Sequence, residues 1–218
     1  MHKKVLFVLL ATVFTASSAM AKVGTTNAAG EKAMIGIRAG YNRSNYVGSD
    51  APNSMQKPGI QLGLIWGNYL PKSTMFSSHM GLLFSQFGAK VNDRIDGVKL
   101  NAEMTLNYLQ IPINFRYNLH LGSGMGLYAQ AGIYSGYALW GRQKSEVRGE
   151  WESKKINFKD RNISTYDFGL GLGAGLLVMN RVELGIVFDR GLFSQVTNSI
   201  RWMHFYNSNL AITATFLF

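Results

Sequence analysis

Three observations together predict an all-β fold, an eight-stranded antiparallel transmembrane up-and-down β-barrel. Apolar residues alternate with small or polar residues in eight separate segments, and this is the period of an extended strand. The non-apolar face of these segments is rich in glycine. The connections between the segments alternate between long and short, as in outer-membrane barrels. The chain has 218 residues and no cysteine, which excludes disulfide frameworks and thiolate sites.

The N-terminus predicts a secretory signal peptide over residues 1–21. A basic start is followed by an apolar run and by a small-residue cleavage pattern that ends at Ala21. The apolar run is shorter than the roughly 20 residues that a membrane-spanning helix needs. We therefore expect export, cleavage after Ala21, a short periplasmic N-terminal segment over residues 22–32, and an outer-membrane barrel over residues 33–218.

The segment over residues 166–178 shows the strand pattern most clearly. Its even positions are apolar, whereas four of its odd positions are glycine, and each glycine would cost a helix about 1 kcal/mol relative to alanine. In chain order, the eight predicted strands carry their apolar faces at Ile35, Ile37, Ala39 and Tyr41; Ile60, Leu62, Leu64 and Trp66; Met80, Leu82 and Phe84; Leu109, Ile111, Ile113, Phe115, Tyr117 and Leu119; Leu127, Ala129, Ala131, Ile133 and Tyr137; Tyr166, Phe168, Leu170, Leu172, Ala174, Leu176 and Val178; Val182, Leu184, Ile186 and Phe188; and Leu210, Ile212, Ala214, Phe216 and Phe218.

The composition of the second face favours a membrane barrel over a soluble barrel or a sandwich. Glycine on a water-exposed strand weakens the strand and adds no solubility. Inside a narrow eight-stranded barrel, glycine leaves room for large side chains such as Tyr128, Tyr134, Arg38 and Arg116. We therefore expect the apolar face to contact lipid and the small and polar face to line the lumen.

Loop lengths and aromatic residues support the same orientation. Outer-membrane barrels have short periplasmic turns, longer extracellular loops and aromatic girdles at both interfaces. The long connections are residues 43–57, 90–103, 141–162 and 191–206, and the short ones are residues 68–74, 120–124 and 179–181. The predicted periplasmic girdle is Trp66, Tyr117, Phe216 and Phe218, and the predicted outer girdle is Tyr41, Tyr137, Trp140, Tyr166 and Phe188.

Five charged residues fall on the predicted lumen face and form the candidate site, a lumen polar network of Arg38, Arg116, Asp167, Glu183 and Asp189. Unpaired charges in a narrow lumen are costly, so we expect arginine–carboxylate pairs. An ion-pair plug that fills the barrel is favoured over a selectivity filter, because eight strands leave space only for side chains.

Three kinds of chemistry are weighed against this interpretation. Residues 169–174 fit a dinucleotide-binding glycine pattern, but no helix follows them. Ser77 and His79 share one strand face, but no acid is placed to orient the histidine as a hydrolase requires. No spacing of histidines and carboxylates indicates a metal site. We expect no catalytic residue, no cofactor and no metal.

The segment over residues 141–162 contains seven positive and four negative residues in mixed order. Such mixing is typical of a solvated loop and not of a nucleic-acid-binding stripe. An extracellular basic loop would meet outer-membrane lipid, anionic lipopolysaccharide or an acidic partner. We therefore expect no nucleic acid among the partners.

The segment from Asn107 to Tyr117 contains the sequence YLQIP and resembles a strand of the PorT-like, porin-annotated outer-membrane barrel family of Gram-negative bacteria. The same resemblance extends over most of the mature chain and includes Pro112, which would need a bulge to sit inside a paired strand. The last strand resembles the C-terminal signal that the barrel-assembly machinery reads, at Leu210, Ile212, Phe216 and Phe218. The resemblance implies a barrel without a catalytic residue and with no single transferable activity.

These patterns predict a monomeric barrel of the outer membrane that is not an enzyme. We expect a structural, adhesive or assembly-support role that is carried by the long outer loops. A small-solute channel is the first alternative, and a lipid-modifying enzyme that uses His79 is the second.

Overall fold

The structure is a computed structural model that describes residues 33–48, 51, 54–71, 73–95, 98–147, 150–158, 163–195 and 205–218. The predicted signal peptide and N-terminal segment lie outside these residues. The strands are β1 (Ala33–Val47), β2 (Ser54–Tyr69), β3 (Phe76–Ile95), β4 (Val98–Gly122), β5 (Met125–Val147), β6 (Glu150–Lys155), β7 (Tyr166–Val178), β8 (Val182–Gly191) and β9 (Tyr206–Leu217). No helix in the described part of the chain is long and apolar enough to cross a membrane.

Eight of the strands close into an antiparallel ring. The order around the ring is β1, β2, β3, β4, β5, β7, β8 and β9, and β9 pairs back with β1. The short strand β6 pairs with the outer part of β5, directly beyond the part of β5 that pairs with β7. The predicted eight-stranded up-and-down topology is confirmed, and β6 is an additional strand in a segment that we expected to be a loop.

The two faces of the ring have the predicted polarity. On β7, Leu170 and Leu172 point outward and are 49% and 59% exposed, whereas Asp167, Gly169 and Gly171 point inward and are buried. The same alternation is found on β9, where exposed Leu210 and Ile212 flank buried Ala211. Apolar side chains therefore cover the outside of the ring, and small or polar ones fill its inside.

Short turns lie at one end of the ring, together with the start of β1 and the end of β9. The β7–β8 connection is a β-turn that is closed by a hydrogen bond from the Arg181 amide to the Val178 carbonyl, 3.1 Å long. Its central residues Met179 and Asn180 have φ angles of 53° and 55°, the left-handed values that a type I′ turn requires. We call this end periplasmic, because short periplasmic turns are a property of outer-membrane barrels.

At the opposite end, strands β1 to β5 are longer than the sequence predicts, and β1 and β2 extend into residues 43–57, which we expected to be a loop. Residues 90–103, expected to be a loop, form a hairpin that stays paired from Lys90–Glu103 to Ile95–Val98. Strands β5 and β6 form a second hairpin in which Arg142 faces Lys155. In the first hairpin, Val98, Leu100 and Ala102 alternate with Lys99, Asn101 and Glu103, and the backbone ladder continues through these residues. We call residues 90–95, 98–107, 140–147 and 150–155 the outer sheet.

A bulge in β5 marks the boundary between the barrel and the outer sheet. Tyr108 pairs with Ala138, but the preceding residue Asn107 pairs with Trp140, so that Leu139 is the extra residue. At this boundary, a buried apolar cluster is formed by Phe87, Leu106, Tyr108, Ala138 and Ile156.

The expected bulge at Pro112 is not present. Strand pairing keeps one register from Met80–Ile113 to Leu83–Gln110, on either side of the proline. Pro112 lies opposite Gly81, where a Cβ atom would come within 3.2 Å of the proline ring. The β3–β4 ladder is interrupted beside Pro112, between the pairs Met80–Ile113 and Leu83–Gln110, but the register does not shift.

Candidate functional site: the polar lumen

The structure places all five residues of the candidate site in the lumen. Arg38, Arg116, Asp167, Glu183 and Asp189 are each buried, and Arg116 is only 1% exposed. They come from β1, β4, β7 and β8, because each occupies an inward position in the alternation of its strand. Residues distant in sequence therefore meet inside the ring.

Arg116, Glu183 and Arg38 form the lower layer of the lumen, nearest the periplasmic end. Arg116 donates through Nη1 to Glu183 Oε1 and through Nη2 to Glu183 Oε2, the latter over 3.4 Å. Arg38 Nη2 lies 3.7 Å from Glu183 Oε2, and Arg38 Nε donates to Thr215 Oγ1 over 2.9 Å. One carboxylate is therefore shared by two buried guanidinium groups, and Glu183 compensates charge on both.

Two further contacts hold the Arg116 side chain in place. Its Nη2 donates to Gln130 Oε1 over 3.0 Å, and its guanidinium carbon lies 3.9 Å from the centre of the Tyr128 ring. A cation at this distance over an aromatic face is attracted by the quadrupole of the ring. Arg116 thus links β4, β5 and β8 across the lumen.

The carboxylates of Asp189 and Asp167 depart from the expected arginine–carboxylate pairing. Asp189 Oδ2 accepts from Asn209 Nδ2 over 3.2 Å and from Gln110 Nε2 over 3.4 Å. Asp167 Oδ2 accepts from Asn207 Nδ2 over 2.8 Å and from Tyr134 Oη over 3.1 Å. In the described part of the chain, neither aspartate forms an ion pair, because neutral amide and hydroxyl donors occupy the positions around it.

Neutral polar residues extend the network across the middle of the lumen. Gln110 Oε1 accepts from Ser85 Oγ over 2.7 Å and from Gln61 Nε2 over 3.2 Å, and Gln61 also donates to Ser85. Asn42 donates to Asn209 over 3.0 Å. These neutral residues are missing from the predicted site, although their inward positions in the strand alternation are visible in the sequence.

Glycines make space for the two lumen tyrosines, as predicted. A Cβ atom on Gly169 would lie 2.6 Å from the Tyr134 ring. On β8, the Tyr128 hydroxyl occupies the place where Gly185 would carry a Cβ atom. Each tyrosine of β5 thus lies against a glycine, Tyr134 against Gly169 on the adjacent strand β7 and Tyr128 against Gly185 one strand further.

The filled lumen leaves little free volume. A cavity of about 10 Å³ is lined by residues that include Arg38, Gln110 and Asp189, and a second of about 20 Å³ lies near Arg116 and Glu183. A buried water needs roughly 10–15 Å³, so each cavity holds about one water molecule. A larger concavity of about 650 Å³ lies on the lipid-facing surface, over Ala129 and Ala174, and not in the lumen.

Ser77 and His79 are in contact but are enclosed. Ser77 Oγ lies 3.0 Å from His79 Nε2, and both residues are buried. Asn118 Nδ2 also donates to Ser77 Oγ, over 2.8 Å. Among the described residues, His79 Nδ1 has no hydrogen-bond partner, so no acid orients the imidazole. The glycines of residues 169–174 lie within β7, which continues to Val178 without a helix.

A closed antiparallel ring with an apolar outside and a polar, filled inside defines the class of protein: a β-barrel that spans the outer membrane. The chain belongs to the outer membrane protein beta-barrel domain family, which it matches over residues 20–196. It is accordingly a protein of the cell outer membrane. A comparison with curated proteins found no significant match.

Several solved structures are similar to this chain. Neisserial surface protein A is 13% identical, with a TM-score of 0.46 over 84% of this chain and 97% of that chain. Ail of Yersinia pestis, in complex with the heparin analogue sucrose octasulfate, is 14% identical, with a TM-score of 0.42 over 85% and 99%. OprG from Pseudomonas aeruginosa is 12% identical, with a TM-score of 0.44 over 85% and 95%.

Proposed function

We propose that this chain is a monomeric, non-enzymatic barrel of the PorT-like type with a sealed lumen. In this proposal it acts through its outer sheet in a structural, adhesive or assembly-support role. The observation that carries the proposal is the combination of a filled lumen with a paired sheet that extends beyond the barrel. The barrel then serves as an anchor, and the outer sheet is the surface that a partner meets.

The outer sheet has a free strand edge, an exposed aromatic residue and positive charge, and these features support contact with a partner. In the described part of the chain, β6 pairs only with β5, so its second edge keeps free backbone donors and acceptors. Trp151 on this strand is 57% exposed, and Lys155 faces Arg142 across the hairpin. A free strand edge with an exposed aromatic and positive charge suits an extended acidic segment or an anionic surface.

Deletion of residues 143–160 tests the role of the outer sheet. The deletion removes the end of β5 and all of β6 but leaves the pairing of β5 with β7 intact. We expect the truncated barrel to assemble, as shown by a heat-dependent shift in gel mobility, and to lose partners that the full chain retains in a pull-down from native outer membranes. An identical set of captured partners would refute the proposed role.

The channel alternative predicts a different result in planar bilayers. A conducting lumen needs a continuous water path, whereas Arg116, Glu183 and Gln130 meet inside this one. We expect no stepwise single-channel current from the purified chain. Reproducible current steps, lost when the protein is unfolded by heat, would favour the small-solute channel instead.

The enzyme alternative depends on Ser77 and His79. Both residues are buried in the lumen, and the orienting acid of a catalytic set is not found among the described residues. We therefore expect His79→Ala to leave the lipid composition of the outer membrane unchanged in cells. A change in lipid acylation caused by His79→Ala, but not by His120→Ala, would favour the enzyme.

The remaining parts of the proposal concern export and assembly. We propose that the signal peptide is cleaved after Ala21, so that N-terminal sequencing of protein from the outer membrane reads Lys22 first. We also propose that the barrel-assembly machinery reads the last strand and that lipopolysaccharide surrounds the inserted barrel. A first residue other than Lys22 would show that cleavage does not follow Ala21.

A further inference from the structure

Two arginines face away from the lumen at the extracellular end of the barrel. Arg43 on β1 occupies the next outward position after exposed Tyr41, and Arg190 on β8 occupies the next one after exposed Phe188. The residue that precedes each arginine in the chain is buried in the lumen. Strand alternation therefore places both arginines on the lipid-facing side, just beyond the outer aromatic girdle.

Strand β9 lies between the two arginines and fixes their spacing. Arg43 pairs with Leu210 on one side of β9, and Arg190 pairs with Ser208 on the other. Ser208 lies two residues from Leu210, toward the extracellular end of β9. Asn45 pairs with Ser208 from the β1 side. Since neighbouring strands lie about 4.8 Å apart, the two arginine backbones are roughly 10–12 Å apart. Two extended arginine side chains can reach one anion across this distance.

Neither arginine has a carboxylate partner among the residues that the structure describes. The five ion pairs of the described chain involve other residues. Arg190 contacts the ring of Tyr206, with 6.0 Å between its guanidinium carbon and the ring centre. An arginine on the lipid-facing side destabilises a barrel when it lies in the hydrocarbon core, but it is tolerated near the headgroups. The partner of these two charges is therefore expected among the lipid headgroups.

The periplasmic end has no comparable pair among the described strand residues. Its outward positions near the interface carry aromatic side chains, including Trp66, Tyr117 and Phe216. Among the residues that the structure describes, the exposed arginine at this end, Arg181, lies in the β7–β8 turn and not on a strand face. The arginine pair therefore distinguishes the outer leaflet from the inner one.

We propose that Arg43 and Arg190, together with Asn45, bind the phosphate group of an anionic glycolipid in the outer leaflet. Guanidinium groups bind phosphate oxygens in a bidentate geometry, and the Asn45 amide adds a neutral donor, whereas Ser208 between the arginines is buried. The acyl chains would lie against Phe188 and Leu210, which form the exposed apolar row directly below. This site goes beyond the proposed role of the outer sheet, because it engages lipid and does not require a partner protein.

Lipid titration of the protein purified from outer membranes tests the site. The chain is placed in phosphatidylcholine nanodiscs and titrated with bisphosphorylated lipid A, with dephosphorylated lipid A and with inorganic phosphate. We expect the double variant Arg43→Gln with Arg190→Gln to bind bisphosphorylated lipid A at least about tenfold more weakly than the wild type. We expect lysine at both positions to give an intermediate affinity, because lysine keeps the charge but loses the planar fork.

The matched control removes one positive charge elsewhere. Arg181 lies in the periplasmic turn, so Arg181→Gln should bind lipid A as the wild type does, whereas Arg43→Gln and Arg190→Gln should each weaken binding. Equal weakening in all three single variants would reduce the effect to net charge and overturn the site. Full competition by inorganic phosphate would assign a soluble anion in place of a lipid, and equal affinity for dephosphorylated lipid A would also reject the proposal.

Discussion

Arg116 and Glu183 are 67 residues apart in the sequence and form a two-point hydrogen-bonded ion pair across the lumen. Arg38 approaches the same carboxylate from a third strand. A buried charge pair of this kind adds little net stability relative to apolar residues, but removal of one partner leaves an uncompensated charge. The pair therefore ties β4 to β8 across the lumen, and Arg38 joins it from β1.

Loss of the Arg116 guanidinium should strongly destabilise the barrel. In Arg116→Ala, Glu183 keeps only the more distant Arg38, and we expect a loss of about 3–5 kcal/mol in the free energy of unfolding. Urea titration in lipid vesicles measures this loss. Arg181→Ala, in an exposed turn, should stay within about 0.5 kcal/mol of the wild type. An unchanged midpoint for Arg116→Ala would contradict the structural role of the network.

A methyl group at Gly185 should collide with Tyr128. The phenolic oxygen lies where the new Cβ would be, and the next neighbours, Ala174 O and Thr213 Oγ1, are 3.3 Å away. We expect Gly185→Ala to cost about 1–3 kcal/mol and Tyr128→Phe in the same chain to restore most of it. Gly136→Ala is the control, because its nearest neighbour is 3.3 Å away. If the second substitution rescues nothing, the tyrosine is not the obstacle.

The β7–β8 turn should accept a stabilising substitution. Met179 is 77% exposed and has a φ of 53°, a left-handed value that asparagine adopts more readily than methionine. We expect Met179→Asn to raise the free energy of unfolding by about 0.5–1 kcal/mol. Met179→Ala is the control: it removes the methionine side chain but does not favour the left-handed backbone, so it should not stabilise the barrel. A destabilised asparagine variant would show that the methionine side chain matters more than the turn.

The last strand should matter for assembly more than for stability. Phe216 and Phe218 are exposed on the lipid-facing side of β9 and its end, and their rings pack edge to face with centres 5.6 Å apart. We expect deletion of Phe218 to lower the amount of assembled barrel in cells several-fold, while refolding into detergent proceeds as in the full chain. Thr213→Ser, an inward change on the same strand, is the control. Normal insertion of the shortened chain would argue against a C-terminal signal.

The sequence by itself determined the eight strands of the ring, the polarity of the two faces and the inward position of the lumen residues. These follow from a period of two over Tyr166–Val178 and its seven counterparts, since the period assigns each side chain to a face before any strand is paired. Arg38, Arg116 and Glu183 were identified in this way, because the alternation of side chains along each strand places them inward.

Only the tertiary structure decided which inward residues meet. Pairing of Asp189 with Asn209 and Gln110, and not with an arginine, depends on the stagger between strands, which no local pattern encodes. The outer sheet was missed for a different reason: its charged residues were interpreted as a loop, although Val98, Leu100 and Ala102 alternate with Lys99, Asn101 and Glu103. The alternation of side chains is a local property of one strand, whereas strand register and the contacts between inward side chains are set only when the ring closes.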